Sequence, residues 1–181
     1  MIRKLKKSLV FVLMVAIMFS SFVVISSADT QPQLPQHDVS TEPLRSILGW
    51  EGDKDAAIAY LDGSMYLRGR GNITVGFGIA TGASPIEWTQ AEGYLPCLIS
   101  SFERSGCQVE IKSFGDKITV NGNDYVAVYS RVTISNPFEY GVMMDPYASP
   151  QFTKLNDGSV VVPPNSTVNH DYVIVIDRFG R

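Results

Sequence analysis

The chain has 181 residues, about the length of one domain, with 45% hydrophobic residues, 18% charged residues and a formal net charge of −3. This composition excludes intrinsic disorder, which needs low hydrophobicity and high net charge, and it excludes a nucleic-acid-binding domain, which needs a basic surface. Two cysteines are too few for a disulfide-stapled mini-protein or a cysteine-rich zinc module.

Residues 1–28 match the three-part plan of a secretory signal peptide. Basic residues lie within Arg3–Lys7, an almost wholly apolar run extends from Leu9 to Ile25, and Ser26-Ser27-Ala28 places small residues where a signal peptidase cleaves. The apolar run is shorter than the roughly 20 residues that a spanning helix prefers, which favours cleavage after Ala28 over an uncleaved anchor. We therefore expect a secreted or cell-surface protein, with no membrane segment after cleavage.

Cleavage makes the chain more acidic. Residues 1–28 hold four basic and no acidic residues, so the net charge of the remaining chain is −7. This charge disfavours polyanionic partners and leaves neutral sugars, peptides or another protein as the expected partners.

Residues 29–48 contain three prolines and are predicted to be a flexible polar spacer. A β-sandwich domain is predicted over residues 49–181.

The folded part is predicted to contain one short helix and many strands. The helix is expected at Asp53–Leu61, with Asp53 as N-cap and Gly63 after its end. After Gly63 the apolar residues recur with period two, most clearly in Tyr125–Ile134. There, one predicted face carries Val126, Val128, Val132 and Ile134, and the other carries Tyr125, Ala127, Tyr129, Arg131 and Thr133. Further strands are predicted over residues 64–68, 73–79, 95–102, 107–111, 117–120, 138–144, 159–162 and 172–176.

Turn residues separate these strands. Asn121-Gly122 supplies the positive φ angles of a tight hairpin, and Ser105-Gly106 is a second candidate loop. Many short antiparallel strands predict an all-β sandwich.

In the register that Ser105-Gly106 imposes, Arg104 faces Cys107 while Cys97 lies several pairs away, so we expect two buried free thiols rather than a disulfide bond.

The sequence predicts no catalytic centre, metal site or cofactor. His170 and Asp171 are adjacent in a strand and point to opposite faces, and no Gly-x-Ser-x-Gly motif is present, so a structural, hydrogen-bonded histidine is expected.

Asp53-Lys54-Asp55 lacks the spacing of a calcium loop. Gly76 and Gly78 do not precede a helix and indicate a bulge or a close backbone approach instead. Spacing alone cannot pair the carboxylates of Glu103, Glu110, Asp116, Asp145, Asp171 and Asp177, which are expected to be solvated.

Aromatic residues outside the alternating faces are the candidate carbohydrate-binding positions. These residues are Trp50, Trp88, Tyr94 and Tyr147. They lie in predicted loops or near strand ends, where an exposed ring can stack on the C–H face of a sugar. Packing into the core, or docking onto another domain, is the alternative role for each ring.

An ordered set of short motifs resembles a known family. In chain order the motifs are Gly93-Tyr94-Leu95-Pro96, Val109-Glu110-Ile111-Lys112, Phe114-Gly115-Asp116, Tyr125–Val132, Asp145-Pro146, Val162–Val168 and His170–Gly180. Over roughly residues 50–181 the chain resembles the N-terminal, supersandwich-like β-sandwich of bacterial six-hairpin glycosidase-like proteins. In that family a helical (α/α) toroid follows the sandwich and carries the catalytic carboxylates. This sequence ends at Arg181, so the resemblance carries over no catalytic residue, and it leaves three expectations open: a truncated product, a fragment whose partner is encoded separately, or a free-standing sandwich.

Three functions follow as hypotheses. We favour an exported, non-catalytic β-sandwich that serves as an accessory module of a carbohydrate-active system and contacts a glycan or a helical glycosidase domain. A small glycan hydrolase that uses Asp and Glu side chains is the first alternative, since glycoside hydrolysis needs two carboxyl groups about 5–10 Å apart. A structural or protein-adhesion domain is the second alternative.

Overall fold

The computed structural model describes residues 45–93 and 95–179. The predicted signal peptide, residues 29–44 of the predicted spacer, and Tyr94 lie outside these residues. In the part that is described, no helix is long and apolar enough to cross a membrane. Its only helical segments are two 3-10 turns, Gly78–Ala80 and Ala91–Gly93. The strands are β1 (Arg45–Leu48), β2 (Ala57–Tyr60), β3 (Met65–Leu67), β4 (Ile73–Val75), β5 (Glu87–Gln90), β6 (Cys97–Arg104), β7 (Cys107–Val120), β8 (Asn123–Asn136), β9 (Val142–Met143), β10 (Thr153–Lys154), β11 (Val161–Val162) and β12 (Ser166–Arg178).

The strands confirm the all-β antiparallel prediction and form two layers. The larger sheet has the order β10-β12-β8-β7-β6-β5, the smaller sheet has the order β1-β2-β3-β4, and β9 pairs with β11 in a short ribbon. One core cluster lies between the two sheets and contains Leu48, Ala57, Ala59, Met65, Leu67, Val75, Leu98, Val126, Val128, Ile174 and Ile176. Burial of this apolar surface holds the layers together.

A second cluster covers the rest of the larger sheet's inner face. The segment 77–80 contributes Phe77, Ile79 and Ala80, and Met144 and Val162 pack beside it. From the sheet come Phe102, Cys107, Val109, Ile111, Val132, Ile134 and Tyr172. The smaller sheet therefore covers one half of the larger sheet's inner face, and loop segments cover the other half.

The long central strands follow the predicted alternation. Val126, Val128, Val132 and Ile134 of β8 are all 0% exposed. The two predicted hairpin loops are present, because Ser105-Gly106 has φ angles of 51° and 77° and Asn121-Gly122 has 51° and 74°. Left-handed angles at both positions are those of a type I′ turn, whose twist matches the flanking strands. These two loops fix the register of β6, β7 and β8.

The same register confirms that the thiols are free. Arg104 pairs with Cys107, whereas Cys97 pairs with Phe114 further along the ladder. Both cysteines are free; Cys107 is buried, and Cys97 is half-buried rather than buried. Burial raises the pKa of both thiols, so both stay protonated and poorly nucleophilic near neutral pH.

The predicted helix at Asp53–Leu61 is wrong. Residues Ala57–Tyr60 form β2, which pairs with β1 and β3. Ala57 and Ala59 are buried between the sheets, and strand pairing overrides the helix propensity of alanine. Asp53 Oδ1 accepts a hydrogen bond from Asp55 N at 3.1 Å, a local turn that competes with helix formation. Gly63 (φ 75°) lies in the β2–β3 turn instead of ending a helix.

The predicted spacer is also too long at its C-terminal end. Its last four residues, Arg45–Leu48, form β1. Ile47 is 69% exposed and Leu48 is 1% exposed, which is the alternation of a strand with one buried face. The short apolar pair after a proline-containing polar stretch gave too little periodicity to identify this strand.

Candidate functional site

The described residues form a cleft beside the ribbon of β9 and β11. Its volume is about 290 Å³, near the lower end of the range for small-molecule sites. Buried Ile79 and Met144 form an apolar floor, and the remaining lining comes from four segments that are distant in sequence. The lining residues are Gly78, Ile79, Arg104, Ser105, Met143, Met144, Asp145, Tyr147 and Val160.

Tyr147 is the one aromatic side chain among the described lining residues, and it is 71% exposed. Its backbone has φ 50°, a left-handed conformation that is uncommon outside glycine. The Asp145 carboxylate supports this conformation, because Oδ1 accepts a hydrogen bond from Tyr147 N at 2.7 Å. Tyr147 O in turn accepts a hydrogen bond from Gly78 N at 2.9 Å. The backbone of the exposed ring is therefore fixed on both sides.

Residues 146–149 are hydrogen-bonded to residues 76–79, which directly follow β4. Phe77 pairs with Ala148 as an isolated bridge. Ser149 N donates to Gly76 O at 2.9 Å, and Gly76 N donates to Ser149 Oγ at 3.0 Å. These contacts join residues about 70 positions apart in the chain and form a rigid seat for the ring.

Gly76 and Gly78 of this segment allow a close approach, which confirms the sequence-based expectation for these two glycines. A Cβ on Gly78 would lie 2.9 Å from Tyr147 Cβ. A Cβ on Gly76 would lie 2.8 Å from Ser64 Cβ. Both distances are too short for a real carbon pair, so only glycine fits at either position.

Opposite charges flank the cleft. Arg104 lies at the end of β6, where its Nη1 donates to Thr81 O at 2.9 Å and ties the hairpin to the turn after residues 78–80. Asp145 lies on the other segment of the lining. The guanidinium and the carboxylate balance each other, so the cleft offers hydrogen-bonding groups without a net charge.

Trp50 and Trp88, two other predicted carbohydrate-binding residues, do not line this cleft. Trp50 is 47% exposed in the β1–β2 connection. Trp88 packs against the cluster between the two sheets, and its Nε1 is buried with no hydrogen-bond partner among residues 45–93 and 95–179. Tyr94 lies outside the described residues. Among the three of these residues that the structure describes, Tyr147 is the ring that combines high exposure with a concave site.

His170 is buried and differs from the sequence-based expectation. It faces the core, while Asp171 points outward, which confirms the predicted division between the two faces. Neither of its ring nitrogens has a hydrogen-bond partner within the described part of the chain, so the hydrogen-bonded role is wrong. Burial lowers the pKa of the imidazole below its ordinary value of 6.5, and Lys154 lowers this pKa further, against the opposite effects of Asp145 and Asp171.

The carboxylates do not form a pair in the cleft. Asp145 is the only carboxylate among its lining residues in the described structure. Glu110 and Asp171 lie on the outer face of the larger sheet and pair with Lys112 and Arg131, respectively. No group of three or more His, Cys, Asp or Glu side chains that could hold a metal ion occurs in the described ranges.

The outer face of the larger sheet is a second surface, which the sequence analysis did not identify as a site. Phe114 and Tyr129 stack there with ring centroids 5.4 Å apart, and Phe114 is 42% exposed. Arg131 donates to both carboxylate oxygens of Asp171, at 2.6 and 3.0 Å. The Asn121-Gly122 loop fixes the pairing of Phe114 with Tyr129 and was the available signal for this surface.

Comparisons with family models, with curated proteins and with solved structures find no match for this chain.

Proposed function

We propose that the chain is an exported, non-catalytic β-sandwich module that binds a neutral glycan in the cleft at Tyr147. The observation that carries this proposal is the 71% exposed Tyr147 ring on a backbone held by hydrogen bonds on both sides. A tyrosine offers a large and rigid contact surface at low entropic cost, and a fixed backbone reduces the ordering needed on binding.

The other lining residues support a sugar as the ligand. A sugar ring presents an apolar C–H face, which suits the Tyr147 ring, and hydroxyl groups that both donate and accept hydrogen bonds. The Asp145 carboxylate accepts such bonds, and the Arg104 guanidinium donates them. The compensating charges favour a neutral sugar over an anionic one, and a volume of about 290 Å³ favours one ring or a chain end over a long polymer.

Binding is favoured over hydrolysis by the composition of the cleft. Glycoside hydrolysis needs two carboxyl groups about 5–10 Å apart, and Asp145 alone among the described lining residues carries a carboxylate. If the chain were a hydrolase, the purified protein would release reducing sugar, and Asp145→Asn would abolish the release.

Export and a wider enzyme context belong to the same proposal. The basic, apolar and small-residue order of residues 1–28 supports secretion with cleavage after Ala28. N-terminal sequencing of the exported protein tests this point and should begin at Asp29. The resemblance to the sandwich of six-hairpin glycosidase-like proteins stays a prediction, and it suggests a helical glycosidase domain as the partner that the module serves.

The test is sugar binding by matched tyrosine variants. A panel of neutral and charged oligosaccharides is screened on an array, and the strongest ligand is measured by isothermal titration calorimetry. We expect Tyr147→Ala to weaken binding about tenfold or more, the scale of an aromatic anchor at an interface. Tyr140→Ala is the control, because Tyr140 is also exposed (62%) but stacks on Phe138 and does not line the cleft.

Two results would contradict the proposal. One is the absence of binding to every glycan of the panel. The other is an equal loss of affinity in the Tyr140 and Tyr147 variants, which would place the ligand elsewhere.

A protein-adhesion domain is the second candidate function. Met143 (79% exposed) and Val161 (46% exposed) pair across the β9–β11 ribbon and extend the apolar surface beyond the cleft. Contiguous exposed apolar side chains often mark contacts with other proteins. Val161→Asp should abolish capture of such a protein and leave sugar binding within twofold, because Val161 does not line the cleft, whereas a glycan module loses sugar affinity only when its cleft residues change.

A further inference from the structure

His170 occupies a site in which only its neutral form is accommodated. The residue is 1% exposed, and both ring nitrogens lack hydrogen-bond partners in the described part of the chain. A neutral imidazole tolerates such a site at moderate cost, whereas an imidazolium needs acceptors or water for two N–H groups. Protonation of His170 therefore demands a rearrangement of whatever covers the ring.

Residues 155–160, here called the covering segment, lie over the ring. A Cβ on Gly158 would be 2.6 Å from His170 Nδ1, so the backbone of Gly158 is in direct contact with the imidazole. Asn156 holds the segment onto β12: its Nδ2 donates to Asp171 Oδ2 at 2.9 Å, and its Oδ1 accepts from Asp171 N at 3.1 Å. The contact leaves no room for water between Gly158 and the ring.

The covering segment also reaches the cleft. Val160, two residues after Gly158, is one of the lining residues, and its carbonyl accepts a hydrogen bond from Met144 N at 2.7 Å. Val160 therefore connects the covering segment directly to a wall of the cleft.

The charged groups around His170 set the direction of its response. Lys154 of β10 disfavours the imidazolium, whereas Asp145 of the cleft and Asp171 of the same strand favour it. The residue of β8 that pairs with His170 is the apolar Val132. The acidic residue of the covering segment, Asp157, is exposed. Burial has the largest effect and lowers the pKa of His170 below 6.5.

We propose that His170 is a pH-sensitive latch: its neutral ring holds the covering segment closed, and acidification releases residues 155–160 and loosens the cleft wall at Val160. The opened state binds the proton more readily than the closed state. The closed state is therefore fully favoured above the ordinary value of 6.5 and loses stability as the pH falls below it. The release itself is independent of any ligand, whereas weaker sugar binding in acid rests on the proposed function.

Amide hydrogen exchange at pH 7.5 and pH 5.0, corrected for intrinsic rates, tests the latch without a sugar. We expect exchange in residues 155–160 to rise about tenfold in acid, because protonation favours local opening there, while the centre of β7 and β8 stays protected. His170→Leu should remove this response. His37→Gln is the matched control, because it removes the only other histidine of the chain and should leave the response intact.

An NMR titration of the His170 ring protons keeps the proposal testable if the leucine variant does not fold. A His170 pKa below 6.5, with amide signals of residues 155–160 shifting in the same pH range, supports the latch. Titration at or above 6.5, an unchanged covering segment, or equal acid exchange throughout β7 and β8 overturns it. A chain that shows the exchange response but binds no sugar contradicts the proposed function alone.

Discussion

A single buried amide, that of Asn136, organises the backbone around the β9–β11 ribbon. Asn136 is 3% exposed at the end of β8. Its Nδ2 donates to the carbonyls of Tyr140, Val162 and Pro163 at 2.8, 3.1 and 3.0 Å, and its Oδ1 accepts from Phe138 N at 2.9 Å. One amide thus satisfies four backbone groups, from Phe138 and Tyr140 before the ribbon to Val162 and Pro163 at its end.

We expect Asn136→Ala to lower the free energy of unfolding by about 1–3 kcal/mol, because it leaves buried backbone groups without partners. Urea denaturation followed by tryptophan fluorescence measures the change. Asn169→Ala is the control: the exposed side chain of Asn169 accepts a bond from Thr133 Oγ1, and its loss should cost less than about 0.5 kcal/mol. Equal losses in the two variants would show that Asn136 does not organise the ribbon.

At the scale of elements, a glycine of the larger sheet allows the backbone that follows β1 to pack directly against it. A Cβ on Gly115 of β7 would lie 2.6 Å from Gly49 N and 2.9 Å from both Gly49 Cα and Gly49 O. These neighbours are backbone atoms directly after β1, and they cannot rotate away. The position of β1 on the larger sheet therefore depends on the missing side chain at residue 115.

We expect Gly115→Ala to destabilise the protein by about 2 kcal/mol or more, in the range of overpacked cores. Thermal unfolding by circular dichroism measures the loss. Gly141→Ala serves as the control, since its nearest neighbour would be Val161 Cγ1 at an ordinary 3.6 Å. Unchanged stability of the Gly115 variant would mean that β1 does not pack against β7 in this way.

The elements that the sequence predicted are those whose signals are local. The alternation of β8 and the loops Ser105-Gly106 and Asn121-Gly122 fixed the central strands, their register and the free thiols, because period-two burial and positive φ angles act within a few residues. The helix at Asp53–Leu61 was wrong because pairing of Ala57–Tyr60 with two strands outweighs local propensity. The seat of Tyr147 joins Gly76 to Ser149, and no local pattern encodes a contact between such distant residues.

At the scale of the whole molecule, the two halves of the larger sheet's inner face are covered in different ways. The smaller sheet covers the half that contains Val126 and Val128, and loop segments cover the half that contains Val132 and Ile134. The loop-covered half holds the cleft, the buried His170 and the covering segment, so binding and its response to pH are both expected there.

Mapping the ligand on the folded protein tests the binding cleft most directly. The uniformly ¹⁵N-labelled chain is titrated with the neutral oligosaccharide that binds most strongly, and amide shifts are followed by NMR. We expect the perturbed amides to cluster at residues 77–79, 104–105, 143–147 and 160, with the outer-face pair Phe114 and Tyr129 unchanged. Perturbations confined to that outer pair, or none at saturating sugar, would contradict a glycan-binding cleft at Tyr147.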